Sequence, residues 1–249
     1  MTPNPTPPMP RGSVPALELR GARFAYPGAS QPTLDIESLR IEAGQGLMLT
    51  GPSGGGKTTL LSLAAGVLLA QQGAVELMGR DWASLPPAAR DAHRVDHVGY
   101  IFQQFNLLPY LGVLDNVLLP CGFSRRRRER ATASQGSTRA AAIALLNALE
   151  LPASLYQRPA SDLSVGQQQR VAAARALIGQ PDIVIADEPT SALDEDRREA
   201  FMRLLMAQCA QAGSALLFVS HDTRLATHFS TVMHLPLINR ARALACEAC

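Results

Sequence analysis

The sequence predicts an α/β fold with a mostly parallel sheet, an N-terminal antiparallel β part and an inserted helical block, and three observations carry that expectation. Short continuous apolar runs, above all Ile183-Val184-Ile185-Ala186, have the pattern of strands buried on both faces rather than of strands with one wet face. Helix-favouring stretches separate these runs, as the crossovers between parallel strands require. Between one such run and one such stretch lies Gly51-Pro52-Ser53-Gly54-Gly55-Gly56-Lys57-Thr58, which fills the phosphate-loop pattern G-x-x-x-x-G-K-[ST].

In chain order, residues 17–24 alternate apolar and polar side chains as a half-exposed strand would, and Tyr26-Pro27-Gly28 ends them in a turn. Residues 34–41 continue the antiparallel part. Residues 47–50 predict a buried strand leading into the glycine-rich turn, and 60–70 the helix behind it. Residues 74–77 and 98–102 read as short strands joined by polar, proline-containing connections. Residues 113–119 predict a helix stopped by Pro120, and 140–149 a second helix. Between them the run Arg125-Arg126-Arg127-Arg128 reads as a solvated helix face or loop, with nucleic acid or anionic lipid as the alternative. Residues 167–178 form the next helix, closed by Gly179 and Pro181. After the strand at 183–186, a helix at 197–212, a strand at 215–219, a short helix near 223–226 and a strand at 232–235 complete the alternation.

Bulk properties narrow the function. With 249 residues, 47% hydrophobic and 18% charged, the chain can bury a large core. A net charge of +2 is too mild to announce a nucleic-acid binder, and no nucleic-acid partner is expected. No apolar stretch reaches the roughly 18 residues of a membrane-spanning helix. Residues 1–15, proline-rich and nearly uncharged, read as a mobile tail without the basic-then-apolar pattern of a secretory signal. Of the four cysteines, Cys246 and Cys249 form a C-x-x-C that lacks a second ligand pair, so reduced thiols are the expectation.

The phosphate loop has a chemical reading. Glycines at 54, 55 and 56 let backbone N–H groups converge on a phosphate chain, Lys57 adds a full charge, and the Thr58 hydroxyl suits Mg²⁺. Asp187, closing the buried strand, can reach the same cation, while the adjacent Glu188 is free to polarise a water. One carboxylate on the metal and one on the nucleophile is the division that γ-phosphate hydrolysis requires.

Phosphate loops also serve kinases, GTPases and motors, so the other motifs must choose. These are Phe102-Gln103-Gln104-Phe105-Asn106-Leu107, Leu163-Ser164-Val165-Gly166-Gln167-Gln168-Gln169-Arg170, Ala186-Asp187-Glu188-Pro189-Thr190, Ser191-Ala192-Leu193-Asp194 and Ser220-His221-Asp222. Together with the phosphate loop, in this order, the chain resembles the nucleotide-binding subunit of an ATP-binding cassette (ABC) transporter over about residues 17–235. The resemblance implies a P-loop NTPase (RecA-like) core, with an ABC ATPase domain over 16–240, a helical subdomain over about 104–165, and a C-terminal tail at 241–249. ATP and Mg²⁺ are the implied cofactors. Tyr26 would stack on adenine, with Gly51, Ser53, Gly54, Gly55, Gly56, Lys57, Thr58 and Thr59 around the phosphates. Thr58, Asp187 and Gln103 would face Mg²⁺, Gln103 also sensing the attacking water, and His221 would contact the γ-phosphate beside the catalytic Glu188. Ser164, Gly166 and Gln167 belong to a signature loop that completes the ATP site of an opposite copy, and Asp194 to a loop that touches across that dimer. The implied partners are a second copy and an integral-membrane permease, at the cytoplasmic face of the membrane.

Val165 departs from the family's usual glycine, which a β-branched residue tolerates only if the backbone there is ordinary, and ordinary dihedrals are the expectation. The apolar segment 105–111 is expected to form the groove that accepts a permease helix. Residues 103–120 are similar to the ATPases of lipoprotein-release and macrolide-export systems, implying export or extraction of lipophilic, lipoprotein or peptide-like cargo. An importer ATPase or a cell-division-type ATPase shares the same motifs. A soluble DNA-associated ATPase would need a long coiled-coil insertion, and no sustained heptads separate the phosphate loop from the signature.

Overall fold

The computed structural model describes residues 14–241. Strands β1 (Leu17–Phe24) and β2 (Leu34–Ile41) pair antiparallel, with Leu17 opposite Ile41 and Phe24 opposite Leu34. Their apolar residues alternate inward, and the phase slips at Gly21, whose φ of 56° marks a bulge that the register against the next partner strand confirms. Strand β3 (Gly46–Thr50) carries the chain into a second sheet and helix α1 (Lys57–Ala64) follows. Strands β4 (Gln72–Leu77) and β5 (Arg80–Asp81) return to the first sheet, whose order is β2-β1-β4-β5. Then come α2 (Pro87–His97), β6 (Val98–Ile101) and a helical block of α3 (Val113–Phe123), α4 (Arg125–Gln135), α5 (Thr138–Ala148) and α6 (Val165–Leu177). Strand β7 (Ile183–Asp187), helix α7 (Glu195–Ala212), strands β8 (Ala215–Val219) and β9 (Thr231–His234), and the short α8 (Leu235–Ile238) finish the fold.

The second sheet, β6-β7-β8-β3-β9, is parallel throughout. Its strands divide their side chains between two cores at the strand period of two. Ile183 and Ile185 of β7, with Leu47 and Leu49 of β3, join the core shared with the antiparallel sheet and α1. Val184, Ala186, Met48 and Phe218 face the other way, into the core of the helical block and α7. Among the described residues, no helix is long and apolar enough to cross a membrane.

Several expectations need correction. Pro120 does not stop α3 but lies inside it, and the Ser124 N–H still donates to the Pro120 carbonyl at 2.9 Å. An interior proline costs about 3 kcal/mol. Val113, Leu114 and Val117 bury their side chains in the helical core, each worth roughly 1.5–3 kcal/mol, and that outweighs the break. Helix α1 ends at Ala64 because Gly66, at φ 65°, turns the chain over Trp82: a Cβ at Gly66 would lie 2.5 Å from the indole ring. Helix α2 was not expected; it has Pro87 at its first turn and buries only His93, so its apolar signal is weak. Helices α5 and α6 begin earlier than their apolar patterns, at the caps Ser137 and Ser164. Cys246 and Cys249 lie outside the described residues.

The arginine run is not a solvated face. It opens α4, whose cap Ser124 accepts the Arg127 N–H at 3.0 Å. Arg127 is 2% exposed and donates to the Ala176 carbonyl at 3.1 Å, and burial pushes its guanidinium down to about 10. Arg126 and Arg130 pair with Asp182 at 3.1 and 3.6 Å, Arg128 donates to the Cys121 carbonyl, and Arg125 with Glu129 faces solvent. The run therefore fastens α4 to the start of β7. Gly179 makes room for it, at φ 70°, with a hypothetical Cβ 2.5 Å from the Arg127 carbonyl oxygen. Gly179→Ala is expected to destabilise the fold by about 1–3 kcal/mol from the left-handed backbone alone, and more from the clash. Chemical denaturation checks it: an unchanged midpoint would show that α4 can move away freely.

Candidate nucleotide site

The site forms where β3, β7 and β8 end side by side, at the carboxyl edge of the parallel sheet. After β3 the chain turns through the glycine-rich loop. A Cβ at Gly55 would lie 2.9 Å from the Pro52 carbonyl oxygen, and one at Gly56, where φ is 95°, would press on Leu34 at 3.0 Å, so the tight path requires glycine at both. The loop wraps the Lys57 ammonium, only 7% exposed, which donates to the carbonyls of Gly51 at 2.9 Å and Pro52 at 3.0 Å. It also lies 3.6 Å from Glu188 Oε1.

Thr58 Oγ1 donates to Asp187 Oδ2 at 3.4 Å. Burial, then the neighbouring Glu188 charge, raises the Asp187 carboxyl above its ordinary range, while Thr58 and Lys57 oppose the shift. A cation at that point would relieve both causes. Thr58 and Asp187 supply hard oxygen donors of the kind Mg²⁺ takes. Among the described residues, no three or more His, Cys, Asp or Glu are grouped so that they could hold a metal ion by themselves. The residues present fit a cation that shares its coordination with phosphate oxygens and water rather than one caged by protein alone.

Glu188 adopts φ 44°, rare for a residue with a Cβ, and its N–H donates to the Val219 carbonyl at 3.0 Å. That backbone turn carries its carboxylate off the end of β7 to lie between Lys57 and His221, whose Nδ1 is 3.1 Å from Glu188 Oε2. Tyr26 stands edge-on to Phe24 at 5.0 Å, half exposed, with its hydroxyl 3.2 Å from Thr59 Oγ1. A cleft of about 420 Å³ is lined by Tyr26, Ser53, Gly54, Gly56, Lys57, Thr58, Thr59, Gln103, Asp187 and Glu188. Gly51 and Gly55 act from behind it. His221 lines an adjoining hollow with Ser220 and Asp222.

Ser164, Gly166 and Gln167 do not line that cleft. They open α6, where Ser164 Oγ accepts the Gln167 N–H at 3.4 Å and Gln167 Oε1 accepts the Ser164 N–H at 3.0 Å, a reciprocal cap. Val165 is the first helical residue, half exposed and without a positive φ, as expected. Asp194 caps α7 by accepting the Arg197 N–H at 3.0 Å and also stands outside the cleft.

The segment 105–111 does not form a groove. Phe105 and Asn106, at φ 59° and 48°, turn the Phe105 ring into the core, Tyr110 stays 74% exposed, and Arg175 on α6 donates to the carbonyls of both Phe105 and Asn106. Asn116, fully buried, accepts the Leu108 N–H at 2.8 Å and donates to the carbonyls of Leu108, Leu111 and Gly112. An apolar groove of about 540 Å³ lies beside it instead, with Val67, Phe102, Leu119, Pro120 and Phe123 on its walls and Thr58 and Asp187 at its inner end. Sequence reasoning missed Asn116, Arg175 and Arg198, and it singled out Asp222 within a motif without foreseeing its arginine partners. A lone polar residue on the apolar side of α3 was the available signal for the first; the others show only in three dimensions.

The fold and this arrangement define a phosphate-loop ATPase, and the chain belongs to the ABC transporter family, whose model matches residues 34–191. It is an ATP hydrolase of that family. Among curated relatives, the lipoprotein-releasing system ATP-binding protein LolD of Novosphingobium aromaticivorans is 38% identical over 226 residues, 90% of this chain and 97% of that protein. The macrolide export ATP-binding/permease protein MacB of Sodalis glossinidius is 36% identical over 225 residues, 90% of this chain but 33% of that protein, so the chain spans about a third of the macrolide-export relative's length. A solved dimeric ATP-binding cassette in a post-hydrolysis state with ADP and Pi superposes with a TM-score of 0.74 at 32% identity, covering 88% of this chain and 93% of that one.

Asp222 gives the site a pH signature. Its hydrogen bonds with Arg224, then Arg198 nearby, hold its carboxyl down to about 2. A depressed carboxyl stabilises the fold above its unfolded value of about 3.9, and that stabilisation is lost as pH falls toward about 2. Asp222→Asn is therefore expected to destabilise the chain at pH 6 and to change it little at the acid end. Denaturant midpoints across that range test it, an equal loss at every pH being the contrary result.

Proposed function

We propose that this chain is the ATP-binding and hydrolysing subunit that powers a separate membrane permease, for export or extraction of lipophilic, lipoprotein or peptide-like cargo, through ATP-dependent dimerisation. The observation that carries the reading is the division of the site. Lysine, threonine and both carboxylates gather in one cleft, whereas the cap formed by Ser164, Gly166 and Gln167 stands apart from it, at the N-terminus of a 13-residue helix whose first turn suits an anion. A second copy placed head to tail brings that cap to the cleft, and the dimeric solved relative supports such a pairing.

In the filled site Lys57 neutralises charge on the phosphates, and Tyr26 offers its exposed ring to the base. Thr58 and Asp187 would hold Mg²⁺, with Gln103 lining the same cleft, and the metal would neutralise charge on the phosphates. Glu188 accepts a proton from the attacking water while His221, touching the same carboxylate, orients it and reaches the γ-phosphate. Loss of the γ-phosphate removes charge-assisted contacts from both faces and loosens the pair.

The apolar groove beside the Gln103 loop supports docking of a permease helix, in place of segment 105–111, which would set the protein at the cytoplasmic face of the membrane. The MacB relative carries ATP-binding and permease functions in one name, and the LolD relative belongs to a lipoprotein-releasing system, which supports export or extraction for this chain.

Two substitutions test the reading. Glu188→Gln is expected to keep ATP binding, abolish turnover and trap a dimer visible by light scattering; a monomer in saturating ATP would refute the dimer. Lys57→Ala is expected to lower ATP turnover by about a hundredfold or more, because a preorganised charge at the phosphates is gone. Near-normal phosphate release from that variant would remove Lys57 from the site.

A further inference from the structure

The loop before α7 and the loop after β8 are fastened to each other by one side chain. Arg198, in the first turns of α7, donates through Nη2 to the Leu193 carbonyl at 2.9 Å and through Nη1 to the Asp222 carboxylate. Leu193 directly precedes Asp194, and Asp222 directly follows His221. Both partners of the ion pair are shielded, with side-chain exposures of 16% and 15%. A shielded, charge-assisted bond of this kind is strong and directional, so its geometry is kept.

Each end of the bridge is firmly anchored. The Asp222 N–H donates to Ser220 Oγ at 3.0 Å, and the Ser220 N–H donates to the Leu49 carbonyl of β3 at 3.2 Å. Leu193 is buried, and its N–H donates to the Thr190 carbonyl at 3.2 Å. His221 is held more loosely: its ring is 65% exposed and touches Glu188 through Nδ1. Arg224 also grips Asp222, donating from Nε and Nη2 to its two oxygens at 2.9 Å each, but from a side chain 62% exposed and without a bond to the Leu193 carbonyl, so among these partners Arg198 is the one that reaches both loops.

We propose that Arg198 is a positioning residue that couples the Asp194 loop to His221, so that contact of the Asp194 loop with a second copy is relayed to the histidine poised on Glu188. This rests on the head-to-tail dimer proposed above. The guanidinium is a rigid fork, and when the Leu193 carbonyl shifts it cannot keep both partners unless Asp222, and with it His221, follows. The bridge thereby makes hydrolysis in one site depend on the seating of the neighbouring copy, which is positive coupling between two ATP sites.

The test uses the full chain. Arg198→Ala is expected to lower kcat about tenfold while leaving the ATP Kd within about twofold. The Hill coefficient for ATP is expected to exceed 1 in the unaltered chain and to fall to about 1 in the variant. Arg198→Lys restores only part of either quantity, since one ammonium cannot span both partners. Asp222→Asn moves both in the same direction, and the double variant is no worse than the poorer single one. A bridge that only braces the fold would lower the melting temperature and the active fraction without changing the Hill coefficient, which overturns the proposal. So do unchanged kcat and Hill coefficient in Arg198→Lys and Asp222→Asn, the milder variants that serve if Arg198→Ala does not fold. Failure of the dimer reading is separable: a Glu188→Gln chain that stays monomeric in ATP refutes that reading, whereas one that dimerises beside Arg198 variants of normal kinetics refutes the bridge alone.

Discussion

A lysine ammonium withdrawn from water is the constraint around which the site is arranged. An unpaired charge so deeply buried would be costly, and the loop answers by bending two of its own carbonyls onto Lys57 while Glu188 stands 3.6 Å away. The bend leaves no space for side chains at Gly55 and Gly56, and the carboxylate can stand there only because Glu188 accepts a left-handed backbone. Three neighbouring strands hold this geometry. Bonds from the Glu188 N–H to Val219 and from the Ser220 N–H to Leu49 continue the sheet's cross-links past its ladder, into the loops that bear the reactive groups. The site is thus an extension of the sheet rather than a set of free loops, and its precision derives from strands buried on both faces.

Burial on both faces also explains how the molecule accommodates two bodies of structure. Each parallel strand sends alternate residues into a core with the antiparallel sheet and into a core with the helices. A shift of the helical block acts on Val184, Ala186 and Phe218, one residue away from those that position the phosphate loop. Arg126 and Arg130 add a second tie, from α4 to Asp182, while Arg127 ties α4 to Ala176 of α6, so the block is pinned at the start of β7 while Asp187 and Glu188 sit at and just past its end.

Much of this was legible in the sequence because it depends on local chemistry. The run at 183–186 declared a doubly buried strand, and the phosphate-loop glycines and lysine declared their own geometry. Caps at Ser164 and Asp194 were within motifs already singled out. What was hidden depended on tertiary partners. Pro120 obeys local rules in isolation, but burial of Val113, Leu114 and Val117 before it and of Cys121 after it holds α3 through the break. Four arginines in a row look solvated until Asp182, some fifty residues on, and the space left by Gly179 come into view. Segment 105–111 looked like an exposed apolar surface, and nothing local foretold that Asn116 and Arg175 would fasten its backbone.

The groove and the nucleotide cleft share a wall, and that shared wall shapes how force could pass between them. Thr58 and Asp187 line both spaces, while Phe102 lines the groove and Gln103, the next residue, lines the cleft. Tyr100 and Phe102 stack at 4.2 Å along the same rim. A body seated in the groove would press on residues that also line the nucleotide cleft, over distances of a single side chain. Coupling over so short a span needs no long chain of intermediates, only a rigid backing, and β6 paired to β7 from Val98 to Ile101 provides it. The Arg198 bridge lies on the opposite side of Glu188, reaching it through His221. On the proposed reading, this carboxylate stands between the surface for a membrane partner and the surface for a second copy, which would make hydrolysis conditional on both.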